Sequence, residues 1–416
     1  MNGEADTAGI VIVGAGQAGV MTAEALRTGG FEGPITMLGD EPHGPYHRPP
    51  LSKAWMAGEI EAAQLVMRAP EMLARKNITL RTGVTVKAID RSAQTVVLGD
   101  GSALPYTGLV LATGSTPRAL PLPGSDAPGV LALRTRDDAS AIADRLAACI
   151  AQQRPVVVIG GGFIGLEVAA TARKKGLAVT VLEAAPRLLG RVLAPVLSDW
   201  YAELHRGHGV QLLLGAQVAA IETDADGAVS GVKLADGSVV PAGLVVVGIG
   251  VSANDQLAQA AGLACDRGIV VDACCRTSDP LIVAAGDCTA RRLADGNLLR
   301  LESVQNATEQ GKSAAAALLG QERPFTATPW FWSDQYDKKL QMAGLSMGAD
   351  GWAVRGDMAA GAFTVYHFKG EQLIAADSVN ASKDHLLVRK LLDAGVSPTR
   401  EQAGDVAFDL ASLLVK

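Results

Sequence analysis

The chain has few aromatic residues, no paired cysteines, no excess of positive charge and no long uninterrupted apolar run, and each shortage removes a class of function. Aromatic side chains make up 4% of the 416 residues although 48% are hydrophobic, so the core must be built mostly from small aliphatic residues. With 47 glycines, that composition points to an α/β protein of two or three domains. The five cysteines (Cys149, Cys265, Cys274, Cys275 and Cys288) contain no C-x2-C pair, which argues against a zinc site or a thioredoxin-like dithiol. They read as small thiols, and no metal centre is expected. A formal charge of −6 and a pI near 5.6 argue against broad affinity for nucleic acid or anionic lipid. The longest apolar stretch, 155–172, is broken by Gly160, Gly161, Gly162, Gly165 and Glu167, so no membrane span is expected. The opening MNGEADTAG has no basic region ahead of an apolar one, so no signal peptide is expected either, and the cytoplasm is the default location.

What is present is an internal repeat. Residues 10–30, IVIVGAGQAGVMTAEALRTGG, align without a gap to residues 156–176, VVVIGGGFIGLEVAATARKKG. Gly14, Gly16 and Gly19 fall on Gly160, Gly162 and Gly165. Each copy reads as an apolar strand, a G-x-G-x-x-G turn and an Ala-rich helix ended by glycine, the context that a dinucleotide-binding fingerprint requires. The first glycine permits the turn, the second admits a pyrophosphate close to the backbone, and the third lets helix and strand pack tightly. One such motif is weak evidence; two in register, each followed by a second strand and an acid, are strong. The acid is Asp40 after PITMLG in the first copy and Glu183 after VTVL in the second. The copies differ where Glu167 stands in place of Met21.

Three other segments carry signals. LVLATGSTPR (109–118) and TSDPLIVAAGDCT (277–289) each read as an apolar strand halting at a small-residue turn, where parallel sheets bind ligands. In YHRPPLSKAWM (46–56) the prolines forbid a helix interior, Ser52 reads as the N-cap of a short helix ended by Gly58, and Lys53 lies in its first turn, against the helix dipole. The Pro- and Gly-rich stretch 116–129 reads as a crossing between domains. From about Phe325 the composition changes, with Trp330, Trp332 and Trp352, alternation in AFTVYHF and a polar helix bearing Lys383, Arg389 and Lys390, all of which suggests a third, α+β domain.

On these residues the chain resembles the FAD-dependent ferredoxin reductases of the putidaredoxin reductase and biphenyl dioxygenase reductase type, within the glutathione-reductase-like class. YHRPPLSK, VLATGSTPR, LALRT, GGGFIGLEVAATA, TSDPLIVAAGDC, LESVQNA and PWFWSDQY carry the resemblance, which runs nearly end to end. It implies an α/β fold with two Rossmann-like dinucleotide-binding domains: a discontinuous FAD domain (1–117 and 245–324), an inserted NAD domain (118–244) and a C-terminal α+β domain (325–416) covering the flavin. It also implies roles. Gly14, Gly16, Ala18 and Gly19 would border the FAD pyrophosphate, and Asp40 would hold the adenosine ribose. The backbone at Val86 would lie by the adenine, Arg134 would contact the cofactor, Asp287 would bond the ribityl chain, and Val304 would lie near the ring. Arg48, Pro49, Thr113, Gly114, Gly250 and Trp332 complete the expected cofactor-binding set. Gly160, Gly162, Ile164, Gly165 and Glu183 would hold NADH.

The resemblance makes Lys53 and Glu167 an ion pair beside the flavin and the two catalytic residues. It implies hydride transfer from NADH to FAD, followed by single electrons to an acidic [2Fe–2S] ferredoxin that feeds a cytochrome P450 or a ring-hydroxylating dioxygenase. No cysteine lies in 43–58, where a disulfide reductase of this scaffold would need one. An NADH:oxygen oxidoreductase and an NADH-sensing flavoprotein without a ferredoxin acceptor stay open. Glu183 favours NADH over NADPH by like-charge repulsion of the 2′-phosphate, with Arg187 and Arg191 read as surface residues of the next helix. Lys338 and Lys339, beside Trp332, form the expected ferredoxin-docking cluster.

Overall fold

In the computed structural model, which describes residues 8–293 and 295–414, the chain divides into two compact units. The first comprises the residues up to His47, Ala62–Thr116 and Val251–Ala327. Its central sheet runs in the order Ile78–Arg81, Ile35–Leu38, Gly9–Val13, Ala103–Leu111, with Ile282–Ala284 added beyond. All of these pairings are parallel. Register sets Val13 level with Leu38 and Leu111, and Leu111 level with Ala284. The four strands therefore end together, and the loops that begin at Gly14, Gly39, Ala112 and Ala285 share one edge, the edge at which open α/β sheets bind ligands. Both faces of the strands are buried: helices Gln17–Thr28 and Val304–Leu318 lie on one side, and Val96, Leu98, Leu263 and Ile269 fill the other. The two helices approach closely because Gly311 has no Cβ; one built there would lie 2.9 Å from the Ala18 carbonyl.

The second unit comprises Arg48–Glu61, Pro117–Gly250 and Thr328 onward. Its parallel sheet has the order Val210–Leu214, Val179–Glu183, Val156–Ile159, Leu244–Val247, Val130–Ala132. Leu244–Val247 is a fully buried strand paired on both sides, so the chain leaves this unit after Gly250 rather than at the expected residue 245. Segment Arg48–Glu61, expected in the first domain, packs here instead, with Arg136 over the Trp55 ring at 5.1 Å.

A second, antiparallel sheet in the same unit has the order Trp330–Gln335, Lys338–Gly344, Gln372–Val379, Ala362–Lys369, Gly351–Asp357. The alternation read in AFTVYHF does not become alternate burial: in strand Ala362–Lys369 the six central residues are all buried. The reason is that both faces of the sheet are covered. Tyr366 and Ala376 pack with Val388 and Leu391 of helix Ser382–Ala394, while Phe363 meets Trp200 of helix Pro195–Gly207 at 5.2 Å between ring centroids.

Among the described residues no helix is long and apolar enough to cross a membrane, and no group of His, Cys, Asp and Glu could hold a metal ion. All five cysteines are free thiols, four of them buried. Burial pushes the Cys149 and Cys288 thiols up and holds Cys265 at about 11, the opposite of what a redox thiolate needs.

Candidate functional site: two dinucleotide cradles and a buried ion pair

The two fingerprints fold alike. Gly14 and Gly160 take φ of +116° and +109°, and a Cβ at either would lie 2.1 or 2.4 Å from the carbonyl oxygen of Ala112 or Gly248. A Cβ at Gly19 or Gly165 would lie 2.0 or 2.3 Å from the carbonyl of Gly14 or Gly160, so each helix rests directly on its own turn. The middle glycines differ. A Cβ at Gly16 would meet nothing within 4 Å, and one at Gly162 only the Gly248 carbonyl at 3.9 Å. Tightness explains the outer glycines but not the middle ones. What the middle position leaves open is room for a ligand against the backbone.

The helices behind these turns also lack caps. Gly16 and Gly162 occupy the N-cap positions with no side-chain cap, and neither first turn carries an acid. By contrast, helices Arg136–Ala151 and Arg400–Gly404 begin with complete capping boxes, and Ser303 caps Val304–Leu318. Uncapped N–H groups at the positive end of a helix, facing open space, suit a pyrophosphate. The residues present therefore fit two dinucleotides, one in each unit.

Around the first cradle, Asp40 is exposed at the end of strand Ile35–Leu38, Val86 opens strand Val86–Asp90, and Ala18 is buried in the helix. Thr113 Oγ1 donates to the Asn254 carbonyl at 2.6 Å, the Asn254 amide donates back to the Thr113 carbonyl at 2.8 Å, and Gly114 takes φ of +70°. Asp287 accepts from Ser115 Oγ at 3.0 Å. Its loop is pinned by Gln310, whose Oε1 accepts from Gly286 N at 2.8 Å and from Asn306 Nδ2 at 3.1 Å. Val304 is the first residue of its helix. Sequence reasoning missed Asn254 and Gln310; single amides in a loop and in a helix carry no pattern. Of the expected cofactor-binding residues other than those assigned to NADH, Arg48, Pro49, Lys53, Arg134, Gly250 and Trp332 belong to the second unit.

In the second cradle Ile164 stands 42% exposed on the first turn of its helix, beside the open Gly162. Glu183 ends its strand; one carboxylate oxygen accepts from Gly161 N at 2.6 Å and the other from Ala185 N at 2.7 Å. The acid is thus fixed against the fingerprint turn, as the strand–turn register requires. Arg187 is not a surface residue of the next helix. Its guanidinium donates to the carbonyls of Leu193 and Gly190 at 2.7 and 2.9 Å and to Ser198 Oγ at 3.2 Å, closing its own loop. Arg191 is exposed, 3.6 Å from where a Gly250 Cβ would be.

The third feature is the pair Lys53–Glu167, also within the second unit. Pro49 and Pro50 open a 3₁₀ turn, Pro49–Ser52, instead of excluding helix, because proline is favoured at a first helical turn. Ser52 is the last residue of that turn and not an N-cap; its hydroxyl donates to Glu167 Oε2 at 2.5 Å. Lys53 sits between the 3₁₀ turn and helix Ala54–Ala57, and its Nζ lies 2.7 Å from Glu167 Oε2 and 3.2 Å from the Pro49 carbonyl. Thr171, one turn after Glu167, donates to the Ser52 carbonyl at 2.8 Å, so one face of helix Phe163–Lys174 holds the whole segment. Arg48 donates to the Arg134 carbonyl at 2.6 Å, and the Arg134 N–H donates to Asp138 at 3.0 Å. Glu167, 6% exposed, also accepts from Ser333 Oγ at 2.7 Å.

The expected docking cluster does not form. Asp334 pairs with Lys339 and Gln335 with Lys338 across the hairpin, and successive strand residues point to opposite faces. Lys339 therefore shares a face with Trp332, whereas Lys338 shares one with Ser333. The Lys338 ammonium bonds Asp337 at 2.7 Å. Trp330 and Trp332 lie 5.4 Å apart with rings tilted by 30°, and the Arg389 guanidinium sits 5.1 Å from the Trp330 ring.

Two family models match the chain: pyridine nucleotide-disulphide oxidoreductase over residues 8–311 and reductase C-terminal over residues 330–414. Rhodocoxin reductase of Rhodococcus erythropolis is 48% identical over 402 residues, covering 96% of this chain and 93% of that protein. Putidaredoxin reductase CamA of Pseudomonas putida is 48% identical over 411 residues, covering 97% and 96%. Among solved structures, that of the covalent putidaredoxin reductase–putidaredoxin complex matches with a TM-score of 0.94 at 43% identity, over 98% of both chains.

Proposed function

The chain belongs to the pyridine nucleotide-disulphide oxidoreductase family, among the FAD-dependent ferredoxin reductases of the putidaredoxin and rhodocoxin reductase type, and on that premise we propose how its residues serve the reaction. It is an NAD(P)H-dependent ferredoxin reductase delivering electrons to ferredoxin for P450 or dioxygenase systems. FAD, when bound, supplies the conversion between the two-electron donor and the one-electron acceptor. The first unit would hold FAD, with the Gln17–Thr28 N-terminus on its pyrophosphate, Asp40 on its adenosine ribose and Asp287 on its ribityl chain. The second unit would hold NADH on the Phe163–Lys174 N-terminus.

Glu183 supports NADH over NADPH. Its charge would lie against a 2′-phosphate, and Arg187, one of two arginines that could neutralise one, is committed to its own loop. Lys53 and Glu167 are the residues we assign to the reacting end of the flavin. An ammonium held against a carboxylate and a backbone carbonyl keeps one orientation, and such fixed charges stabilise charge that develops in hydride transfer without reorganising.

The acceptor is a small acidic [2Fe–2S] ferredoxin. Its docking edge centres on Lys339 and Trp332 and on Lys383 and Lys390 of the neighbouring helix, all three lysines being exposed. Lys338, on the other face, drops out. The cytoplasm, where NADH is supplied, is the location this reading favours.

The single observation that carries the reading is the open middle glycine of each cradle. Replacing Gly16 by Ala would put a methyl group into space that no protein atom occupies, so the variant should fold normally and lose FAD. Gly162→Ala should keep FAD and lose affinity for NADH. Retention of both cofactors by both variants would refute the cradle assignment.

A further inference from the structure

The Glu167 carboxylate is the end of a longer hydrogen-bonded chain. Ser333 Oγ donates to Glu167 Oε1 at 2.7 Å, and Gln335 Nε2 donates to Ser333 Oγ at 3.2 Å. On the other side of the same amide, Gln335 Oε1 lies 2.8 Å from His205 Nε2, and His205 Nδ1 lies 3.2 Å from the Tyr336 hydroxyl. Ser333, Gln335 and His205 are completely buried. Tyr336 reaches the boundary with solvent, where it stacks on exposed His208 at 3.7 Å.

The direction of each bond follows from the chemistry of the groups. A carboxylate only accepts, so Ser333 spends its proton on Glu167 and must itself accept from the Gln335 amide nitrogen. That orients Gln335 with its oxygen toward His205, which must then donate from Nε2 and accept at Nδ1 from the Tyr336 hydroxyl. Burial agrees with a neutral ring: it pushes His205 down to about 4, against an opposing contribution from Gln335, and neighbouring His208 lowers it further. The five groups thus form a one-way series of donors that ends on Glu167, and bonds in such a series polarise one another.

The backbone is committed to this arrangement. Tyr336 takes φ of +57° in the tight turn between strands Trp330–Gln335 and Lys338–Gly344, a conformation costly for a bulky L-residue and natural for glycine or asparagine. A glycine there would relieve the strain and lose the hydroxyl at the start of the chain. His205 lies on helix Pro195–Gly207, so the series ties that helix, the hairpin and the fingerprint helix together through polar groups alone.

We propose that His205, Gln335 and Ser333 are positioning residues for the reductase reaction: they act at a distance, through an oriented donor chain, to hold Glu167 as a fixed acceptor facing Lys53. The proposal rests on the assignment of Lys53 and Glu167 to the flavin. The same alternation that faces Phe331 toward Phe163, at 4.9 Å, puts Ser333 and Gln335 on the inner side of the strand. A polar Ser-x-Gln in a buried strand is costly unless every group is satisfied, and here the satisfaction runs in one direction.

The test uses the FAD-loaded protein with ¹⁵N-labelled histidine, His205 being assigned from the spectrum of His205→Gln. In the wild type His205 should appear as the neutral Nε2–H tautomer. Glu167→Gln replaces the carboxylate by an amide that can also donate, so the directional constraint disappears and the Nδ1–H tautomer should rise to a clearly measurable share. A second arm follows flavin reduction by NADH in stopped flow. His205→Leu should slow it by roughly fivefold, the worth of one hydrogen bond, with no change in the KM for NADH. His205→Gln, which keeps a donor at the Nε2 position, should restore the rate to within about twofold. An unchanged His205 tautomer in Glu167→Gln overturns the proposal, as does a His205→Leu variant that reduces at the wild-type rate or a His205→Gln variant as slow as the leucine one. The tautomer arm reads the chain itself and would respond even if Glu167 had no part at the flavin. A failure of the flavin assignment would instead show as normal reduction in Lys53→Met.

Discussion

The Lys53 ammonium lies 2.7 Å from a Glu167 carboxylate that is 6% exposed, while the lysine side chain itself is 21% exposed. The pair is therefore not symmetric: the acid is fully enclosed and the base reaches its rim. Removing the base leaves a buried charge with only hydroxyl donors. Breaking a buried pair costs about 3–5 kcal/mol, and the partial exposure of Lys53 places this one near the lower end. Lys53→Met should thus unfold at lower denaturant concentration and reduce its flavin more slowly with NADH. An unaltered unfolding midpoint together with a wild-type reduction rate would mean that the lysine is an ordinary surface residue.

Glu183 should govern cofactor choice. With one oxygen bound to Gly161 N of the fingerprint turn and the other to Ala185 N of its own loop, it cannot swing away from an incoming 2′-phosphate. Glu183→Gln keeps the size and removes the charge, so the ratio of kcat/KM for NADH over NADPH should fall by about tenfold or more, equivalent to at least ~1.4 kcal/mol. Steady-state kinetics with both nucleotides decides; an unmoved ratio would place selectivity elsewhere, with Arg191 the next residue to examine.

Stability should depend on pH through the buried histidines. His205 and His385 are both held by burial at about 4, below the ordinary 6.5. The unfolded chain binds the proton more readily than the folded one, so their contribution is fully present above pH 6.5 and is lost as the pH falls from there through about 4. Each would account for up to about 3 kcal/mol across that window. Denaturant unfolding at a series of pH values should show stability dropping over this range. His205→Gln should flatten the drop, and an equally steep profile in that variant would contradict the assignment.

The fingerprints were legible because their glycines answer steric demands that no other residue meets: a left-handed φ at Gly14 and Gly160, and direct helix–turn contact at Gly19 and Gly165. Glu167 was legible from the repeat, as the charge that stands where the first copy has Met21. The docking cluster was misread because adjacency in sequence places Lys338 and Lys339 on opposite faces of a strand. Ser52 was misread as a cap because the 3₁₀ turn that the two prolines start already includes it. The strand Leu244–Val247 was cut by a boundary drawn one element too early. Asn254, Gln310, His205 and Gln335 were illegible for a common reason: each is a single polar residue to which no motif gave a role, and only the folded contact gives it meaning.

Docking of the acceptor should respond to charge at the tryptophan edge. Lys339→Glu should raise the KM for a [2Fe–2S] ferredoxin and leave NADH reduction of the flavin untouched. The wild-type KM should rise as salt is raised from about 0.05 to about 0.5 M, because exposed charges are screened over roughly 10 Å at 0.1 M. Insensitivity to both the reversal and the salt would move the docking site off this edge.

The most direct measurement is a single turnover without oxygen: the FAD-loaded protein is mixed with one equivalent of NADH, then with an excess of oxidised [2Fe–2S] ferredoxin, and the ferredoxin absorbance is followed. Each NADH carries two electrons and each cluster takes one, so two ferredoxins should be reduced per NADH, on the timescale of turnover. Ferredoxin that stays oxidised, with the flavin returning to its oxidised spectrum only when air is admitted, would contradict the assignment of the chain as a ferredoxin reductase.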